Sequence, residues 1–331
     1  MTRPVAKSLF AALLCSAMPF AAGAQTVLRF ATTLPEQAGI VRDFLQPWAE
    51  SVTAESNGTL TIEVLNGPTI ANARNVFEQV VTGVVDIAWG THGAMPTPFP
   101  RTSVVVLPFE VDNAITGSEA LWSLYEQGLL DGEYDLIAPL GLVATPPAGL
   151  HSVDPVDTLD DMAGLKVRAS DAIAAQVITA LGGAPIALTP PELYQGVSQG
   201  VVGSVHTPYT GLITFNLQEV THDHLDVPLG SLPGMIFINR AVYDGLPAEA
   251  RAALDAHSGL VLSRDFATWF DTFNTSGRNA VLGMEGHRVH ELSTEQEAAW
   301  RAATAPVTDA WLASTPNGEA ILAALRTQLG H

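Results

Sequence analysis

The sequence predicts an α/β protein built from two similar β-α-β-α-β halves that face one cleft. Three observations carry this reading. Strand-like and helix-like segments alternate twice in the same order. The helix-to-strand corner Phe77-Glu78-Gln79-Val80-Val81-Thr82-Gly83-Val84-Val85-Asp86 parallels Leu193-Tyr194-Gln195-Gly196-Val197-Ser198-Gln199-Gly200-Val201-Val202-Gly203. After the N-terminal leader, no stretch holds the roughly 18 unbroken apolar residues of a membrane span. Regular alternation implies parallel strands joined by helical crossovers.

The leader comes first. Arg3 and Lys7 precede an apolar run from Ser8 to Phe20, and Ala22-Gly23-Ala24 gives a small-x-small cleavage site before Gln25. Residues 1–24 therefore read as a signal peptide cut at about Ala24-Gln25, and the expected location is the periplasm. Leu14 precedes Cys15 where a lipoprotein signal needs a small residue. Cys15 is the single cysteine of the 331 residues, so cleavage leaves no thiol for disulfides or thiol catalysis.

In the first half, Val27 to Ala31 alternates as a strand and Thr32-Thr33-Leu34-Pro35 breaks it. Ile40, Phe44, Leu45 and Trp48 have helical spacing within 39–55. Asn57-Gly58 is a turn, Leu60 to Leu65 a strand, Ala73 to Thr82 a helix, and Gly83 to Trp89 leads into a third strand. In the second half, Leu165 to Arg168 is a strand. Ser170 is placed to cap a helix bearing Ile173, Val177, Ile178 and Leu181 on one face, ended by Gly182-Gly183. Ala184 to Leu188 is a strand, Thr189-Pro190-Pro191-Glu192 a capping box that starts a helix, and Gly200 to Val205 enters another strand. Pro146 to Gly149 reads as a crossing between the halves and Gly230 to Pro233 as the return, with Gly234 to Asn239 re-entering the first sheet. Helices are expected over 247–258, 260 to about 284, from the Ser293-Thr294-Glu295-Gln296 capping box to about 312, and about 317–329. The expected domains are 25–148 plus about 234–270, then 149–233, with C-terminal helices over about 271–331.

Composition narrows the chemistry. Asp and Glu outnumber Lys and Arg 34 to 15, a net charge of −19, which argues against nucleic acid and anionic membrane surfaces as partners. No G-x-G-x-x-G or P-loop is present, so no nucleotide cofactor is expected. Gly196-Val197-Ser198-Gln199-Gly200 matches G-x-S-x-G, but Ser198 closes a helix before a strand, the reverse of a nucleophile elbow. His222 and His224 would share a face if their segment is a strand. A metal site needs further convergent ligands, so a polar segment is the preferred reading and no metal is expected. His92, His151 and His206 are scattered, with no nucleophile beside them.

Reversible binding remains. In open α/β sheets ligands settle at strand ends and the starts of the following helices. Those positions hold Thr32 and Thr33, Gly67 to Ile70, Trp89 to Thr91 (with Gly90 between), Arg168 to Asp171, and His206 to Tyr209. Arg168 is the notable cation among them, able to hold a carboxylate through two parallel hydrogen bonds. Pairing with Asp160, Asp161 or Asp171 is the equal alternative.

At these residues the chain resembles the extracytoplasmic solute receptors of TRAP transporters over nearly its whole mature length. The most specific piece is Thr158-Leu159-Asp160-Asp161-Met162-Ala163-Gly164-Leu165-Lys166-Val167-Arg168, followed at family spacing by Leu181 to Pro185 and Glu192 to Val202. Thr82 to Ala88, Leu107-Pro108-Phe109, Phe237 to Arg240 and Leu246-Pro247 support it. The resemblance implies a type II periplasmic binding-protein fold: two α/β domains around a cleft, a long helix crossing both, and C-terminal helices. It implies that Arg168 pairs with the carboxylate of a small organic acid. It also implies delivery to the small and large membrane subunits of an ion-gradient-driven permease, without catalysis. Where family members usually continue Asp-Gly and place a polar residue before Pro, this chain has Gly203-Ser204-Val205-His206-Thr207-Pro208. The polar position falls on Thr207, often Asn in sugar-acid binders, so Thr207 and His206 argue against a sialic-acid-like ligand. Trp89, Tyr209 and Phe237 favour a smaller or flatter, partly apolar acid, core packing being the equal alternative for each. The competing readings are a receptor for an ATP-driven ABC-type importer and a periplasmic enzyme.

Overall fold

The computed structural model describes residues 25–95 and 99–331. The expected signal peptide lies outside the described residues. Among those described, no helix is long and apolar enough to cross a membrane.

Eleven strands form two sheets among the described residues. They are β1 (Thr26–Ala31), β2 (Leu60–Leu65), β3 (Ile87–Thr91), β4 (Ile137–Ala144), β5 (Gly149–Ser152), β6 (Lys166–Ala169), β7 (Ala184–Ala187), β8 (Ser204–Thr207), β9 (Asp223–Asp226), β10 (Pro233–Asn239) and β11 (Arg288–Glu291). The first sheet has the order β2-β1-β3-β10-β4 and the second β11-β9-β5-β8-β6-β7. Each contains a parallel triplet with its first strand in the middle: β1 between β2 and β3, β6 between β7 and β8. Each triplet then meets an antiparallel strand that belongs to a crossing, β10 beside β3 and β5 beside β8. The repeated corners in the sequence thus correspond to repeated topology.

The two crossings run side by side. Ala148 N–H donates to Gly230 O at 2.9 Å and Leu229 N–H to Ala148 O at 3.1 Å. Thr145 N–H donates to Leu232 O at 3.0 Å, and Leu232 N–H to Thr145 Oγ1 at 3.0 Å. Gly230 has φ +110°, and a Cβ there would lie 2.1 Å from Val106 O. Only a residue without a side chain fits this approach.

The helix Leu260–Leu282 lies against β4 of the first sheet and against β11 and the short helix Tyr209–Thr214 of the second. It is continuous through residue 270, where the sequence suggested a boundary. The capping boxes at Thr189 and Ser293 are present, and the last two helices span Thr294–Ser314 and Gly318–Leu329. Three features depart from expectation. Ser170 is not the N-cap of the helix Ala172–Ala180. Asp171 is, its carboxylate accepting from Ile173 N–H and Ala174 N–H at 2.9 Å each, while Ser170 Oγ donates to Asp171 Oδ2. A carboxylate can serve two amides and a hydroxyl together, which a serine oxygen cannot. The segment expected to hold only C-terminal helices contributes β11, paired parallel to β9. The helix Ala114–Glu126 and the strand β4 also went unmarked. All eight residues of β4 are buried, so it shows no period-two alternation.

Candidate functional site

Arg168 lies on the central strand of the second triplet, flanked by β7 and β8. Its side chain reaches only backbone oxygens: Nε donates to Leu188 O and Nη1 to His206 O, both at 3.4 Å. No carboxylate of the described residues lies in ion-pair contact with it, in contrast to Arg29, Arg278, Arg288 and Arg326, which all have one. The three candidate partners are otherwise engaged or absent. Asp161 closes a capping box with Thr158, Asp160 forms no ion pair, and Asp171 caps its helix. Burial pushes the guanidinium pKa down, and the nearby charge of Asp171 only partly opposes it. A half-buried cation with two long neutral contacts is poorly compensated.

His206 lies beside it on β8, fully enclosed. Its Nδ1 is 3.4 Å from Ser170 Oγ and its Nε2 3.3 Å from Leu229 O. Burial lowers its pKa to about 4, helped by Arg168 and opposed by Asp171, so the ring is neutral near pH 7. Thr207 is buried next to it, its hydroxyl turned toward Gly211, where a Cβ would lie 2.1 Å from Oγ1.

Thr207 is also the end of a chain of imidazoles that the sequence did not reveal. His151 Nε2 lies 3.0 Å from Thr207 O, His151 Nδ1 2.9 Å from His224 Nδ1, and His224 Nε2 3.0 Å from His287 Nδ1. A carbonyl can only accept, so His151 carries its proton on Nε2. Burial keeps His151 and His224 neutral, His224 with a pKa of about 4. His224 must then donate from Nδ1 and accept at Nε2, and His287 donates from Nδ1. His151 and His224 meet because β5 and β9 pair in that register. His224 lies on β9 while His222 just precedes that strand, and the described residues hold no group of three or more ligating side chains able to bind a metal.

The remaining candidates separate. Tyr209 is drawn away from Arg168: its hydroxyl donates to Asp226 Oδ1 at 2.7 Å, and Asp226 Oδ2 takes Arg278 Nε at 2.6 Å. These line a cavity of about 340 Å³ with Asp112 and Glu291, where the cation is already neutralised. Trp89 and Phe237 are buried in the core, the packing alternative that the sequence left open for each. Trp89 packs on Phe266 and Phe270 of the long helix, and Phe237, fully buried, on Phe77. Thr32 is buried with its hydroxyl between Leu34 O and Asn66 Oδ1, 3.1 Å from each. Gly90 is packed against Met95 and Val76, so a Cβ would strike Met95 Cε at 2.5 Å. Thr33 and Thr91 are half-buried and Ile70 is exposed. Arg168, His206 and Thr207 therefore cluster, while most first-sheet candidates serve packing.

The first sheet meets the second at Gly93, whose Cβ position would lie 3.1 Å from Asp171 Cβ. Beside this contact is a cavity of about 250 Å³ lined by His92, Met95, Phe99, Asp171, Ile173 and Leu232, among others.

A family model described as bacterial extracellular solute-binding protein, family 7, matches residues 30–315. The fold is similar to that of a marine-metagenome TRAP solute-binding protein specific for aromatic acid ligands, solved with metahydroxyphenylacetate. The TM-score is 0.87 at 26% identity, over 92% of this chain and 99% of that one. It is also similar to a TRAP periplasmic solute-binding protein of Bordetella bronchiseptica with bound (R)- and (S)-mandelate, at TM-score 0.83 and 29% identity, covering 92% and 99% of the two chains. By sequence it is 25% identical over 317 residues to the outer membrane transporter protein TsaT of Comamonas testosteroni, covering 92% of this chain and 91% of that protein.

Proposed function

Because this chain belongs to the bacterial extracellular solute-binding proteins of family 7, and so to the receptors that bring organic acids to TRAP permeases, we propose that its ligand is a small aromatic or otherwise partly apolar carboxylate. The observation that carries this reading is the Arg168 guanidinium, half-buried and without a carboxylate partner. A ligand carboxylate would supply the missing anion through bidentate hydrogen bonds. His206, neutral at pH 7, adds a polar edge without a competing charge. The aromatic preference draws on relatives solved with metahydroxyphenylacetate and mandelate. It also draws on the apolar wall of Met95, Phe99, Ile173 and Leu232 close to Asp171.

In this reading the second sheet holds the carboxylate through Arg168, with Thr207 nearby, and the first sheet closes over it through Thr33 and Thr91. Residues 25–148 with about 234–270 form one domain and 149–233 the other. A ligand touching both favours the state in which they meet, by its differential affinity for that state. The acid then passes, chemically unchanged, to the small and large permease subunits. Secretion to the periplasm with cleavage after Ala24 precedes this, and N-terminal sequencing of the exported protein tests it.

The central experiment is calorimetric titration of benzoate, 3-hydroxybenzoate and mandelate into the wild-type protein and an Arg168→Ala variant. Binding of at least one acid with a loss of about 30-fold or more in the variant is expected, since the unpaired ligand charge stays in a desolvated site. Binding that survives the substitution within tenfold overturns the reading.

A further inference from the structure

His206 is buried on β8 beside Arg168, and the hydrogen bonds around its ring are mismatched by one proton. Nε2 faces Leu229 O at 3.3 Å. A carbonyl only accepts, so Nε2 carries a hydrogen. Nδ1 faces Ser170 Oγ at 3.4 Å, and the same Oγ lies 2.9 Å from Asp171 Oδ2. A hydroxyl has one proton to give. The carboxylate is the stronger acceptor and the shorter contact, so Ser170 donates to Asp171. In the neutral ring the Nδ1 lone pair therefore meets a lone pair of Ser170. Asp171 cannot relieve this, because it is already an acceptor for Ile173 N–H and Ala174 N–H. A second proton on the ring would complete the series. Nδ1–H would donate to Ser170, Ser170 to Asp171, and Nε2–H to Leu229 O.

In the ligand-free protein burial keeps that proton off. Asp171 favours it and Arg168 opposes it, and the pKa is held at about 4. The charged and titratable groups acting on the ring come from three elements: Arg168 on β6, Asp171 at the start of the following helix, and His151 on β5. His151 is no rival for the proton. Its Nε2–H donates to Thr207 O and its Nδ1 accepts from His224, so both nitrogens are already matched in the neutral form. Charge counting then gives the effect of a ligand. Arg168 and Asp171 sum to zero. A carboxylate bound at Arg168 leaves one net negative charge in a site largely removed from water, which is unfavourable. It also cancels the positive charge that repels a proton from His206. A proton on Nδ1 returns the group to neutrality and supplies the missing hydrogen bond.

We propose that the acid binds together with a proton: the carboxylate at Arg168, the proton on His206 Nδ1 against Ser170 Oγ. The inference rests on the carboxylate reading above and adds to it a second, ionic ligand and a pH-dependent affinity. Above about pH 4 the free protein leaves the ring singly protonated. The extra proton of the complex then comes from solvent, and affinity rises as pH falls toward that value.

The test is calorimetric titration of benzoate, 3-hydroxybenzoate and mandelate at about pH 5.5 and about pH 8, each in two carboxylate-free buffers of unlike ionisation enthalpy. At the lower pH the binding enthalpy should depend on the buffer, giving an uptake of about 0.3–1 proton per ligand, and Kd should be about threefold or more below its value at the higher pH. At the higher pH the buffer dependence should vanish. Asp171→Asn keeps a capping side chain and removes the negative charge that the proton offsets, so uptake should fall by about half or more. His206→Asn should abolish it. Nitrogen-15 spectra of the wild-type protein need no variant to fold. At about pH 5.5 they should show one protonated nitrogen on the free His206 ring and two with the acid bound. An enthalpy independent of buffer, an uptake undiminished in both variants, a ring still singly protonated in the complex, or one already doubly protonated in the free protein would each overturn the proposal. If an acid binds in those cases and loses its affinity in Arg168→Ala, the carboxylate reading stands without it. If none of the acids binds, both fall together.

Discussion

The two parallel triplets are wound alike and furnished differently at their strand ends. In the first sheet, Thr32, Trp89, Gly90 and Phe237 are consumed by the fold itself, in a turn hydrogen bond or in aromatic packing against Phe77, Phe266 and Phe270. In the second, Arg168 ends in two 3.4 Å contacts to neutral oxygens. Equivalent positions in a repeated topology are therefore not equivalent in how far the protein itself satisfies them. What distinguishes them is whether the protein already satisfies the group placed there. Position at a strand end nominates a residue, and an unmet charge sets it apart.

Substitutions can break this contrast, beginning with the largest effect. Phe237→Ala should cost about 3–5 kcal/mol of stability, as expected for a fully buried aromatic, read as a lower urea midpoint. A loss of ligand affinity with stability intact would instead put Phe237 at the ligand. Arg168→Ala should do the reverse. It should cost about 2–5 kcal/mol in carboxylate binding while leaving the ligand-free melting temperature unchanged or raised, because it removes an unneutralised half-buried cation. A large drop in ligand-free stability would mean that Arg168 is a structural strut.

The third test is pH. His92, His206 and His224 have pKa values held at about 4 in the folded protein against 6.5 when unperturbed. Above pH 6.5 neither state is protonated and they contribute nothing to the slope. As pH falls below 6.5 the unfolded chain takes up protons that the folded protein refuses. Stability then declines by about 1.4 kcal/mol per pH unit for each of them, until the folded rings titrate near 4. Denaturant melts between pH 7 and 5 measure this, and His224→Leu should remove one proton's share of the slope. The smallest effect sharpens the contrast at the site itself. Asp171→Asn keeps a capping side chain but removes the charge nearest Arg168 and His206. Carboxylate affinity should rise by about 0.5–1 kcal/mol, whereas a decline would mean that Asp171 steadies the cation for its ligand.

The sequence conveyed the repeat and seven of the strands, because alternation, capping boxes and Gly-rich corners are local signals. It did not convey β4, whose burial on both faces erases alternation, or β9 and β11, four-residue strands within polar runs. Those omissions concealed the histidine chemistry. His151 and His224 touch only through the register of β5 with β9, and His92 finds Tyr134 and Glu133 about forty residues along the chain. Arg168 and His206 were legible as candidates since both end predicted strands. Trp89 and Phe237 could not be assigned by the same logic, as an aromatic at a strand end looks alike in sequence whether it packs inward or meets a ligand.

The paired crossings have a mechanical consequence. The segments around Thr145 to Ala148 and Leu229 to Leu232 are bonded to each other along their length, and Gly230 is seated on the carbonyl of Val106. Sliding one sheet along the other would shear every rung of this ladder at once. Twisting about the ladder's long axis leaves the rungs intact and spreads the change over a few torsions. The helix Leu260–Leu282 is a third connection between the sheets, so a twist that opened the contact between Gly93 and Asp171 would have to be accommodated by the torsions of all three.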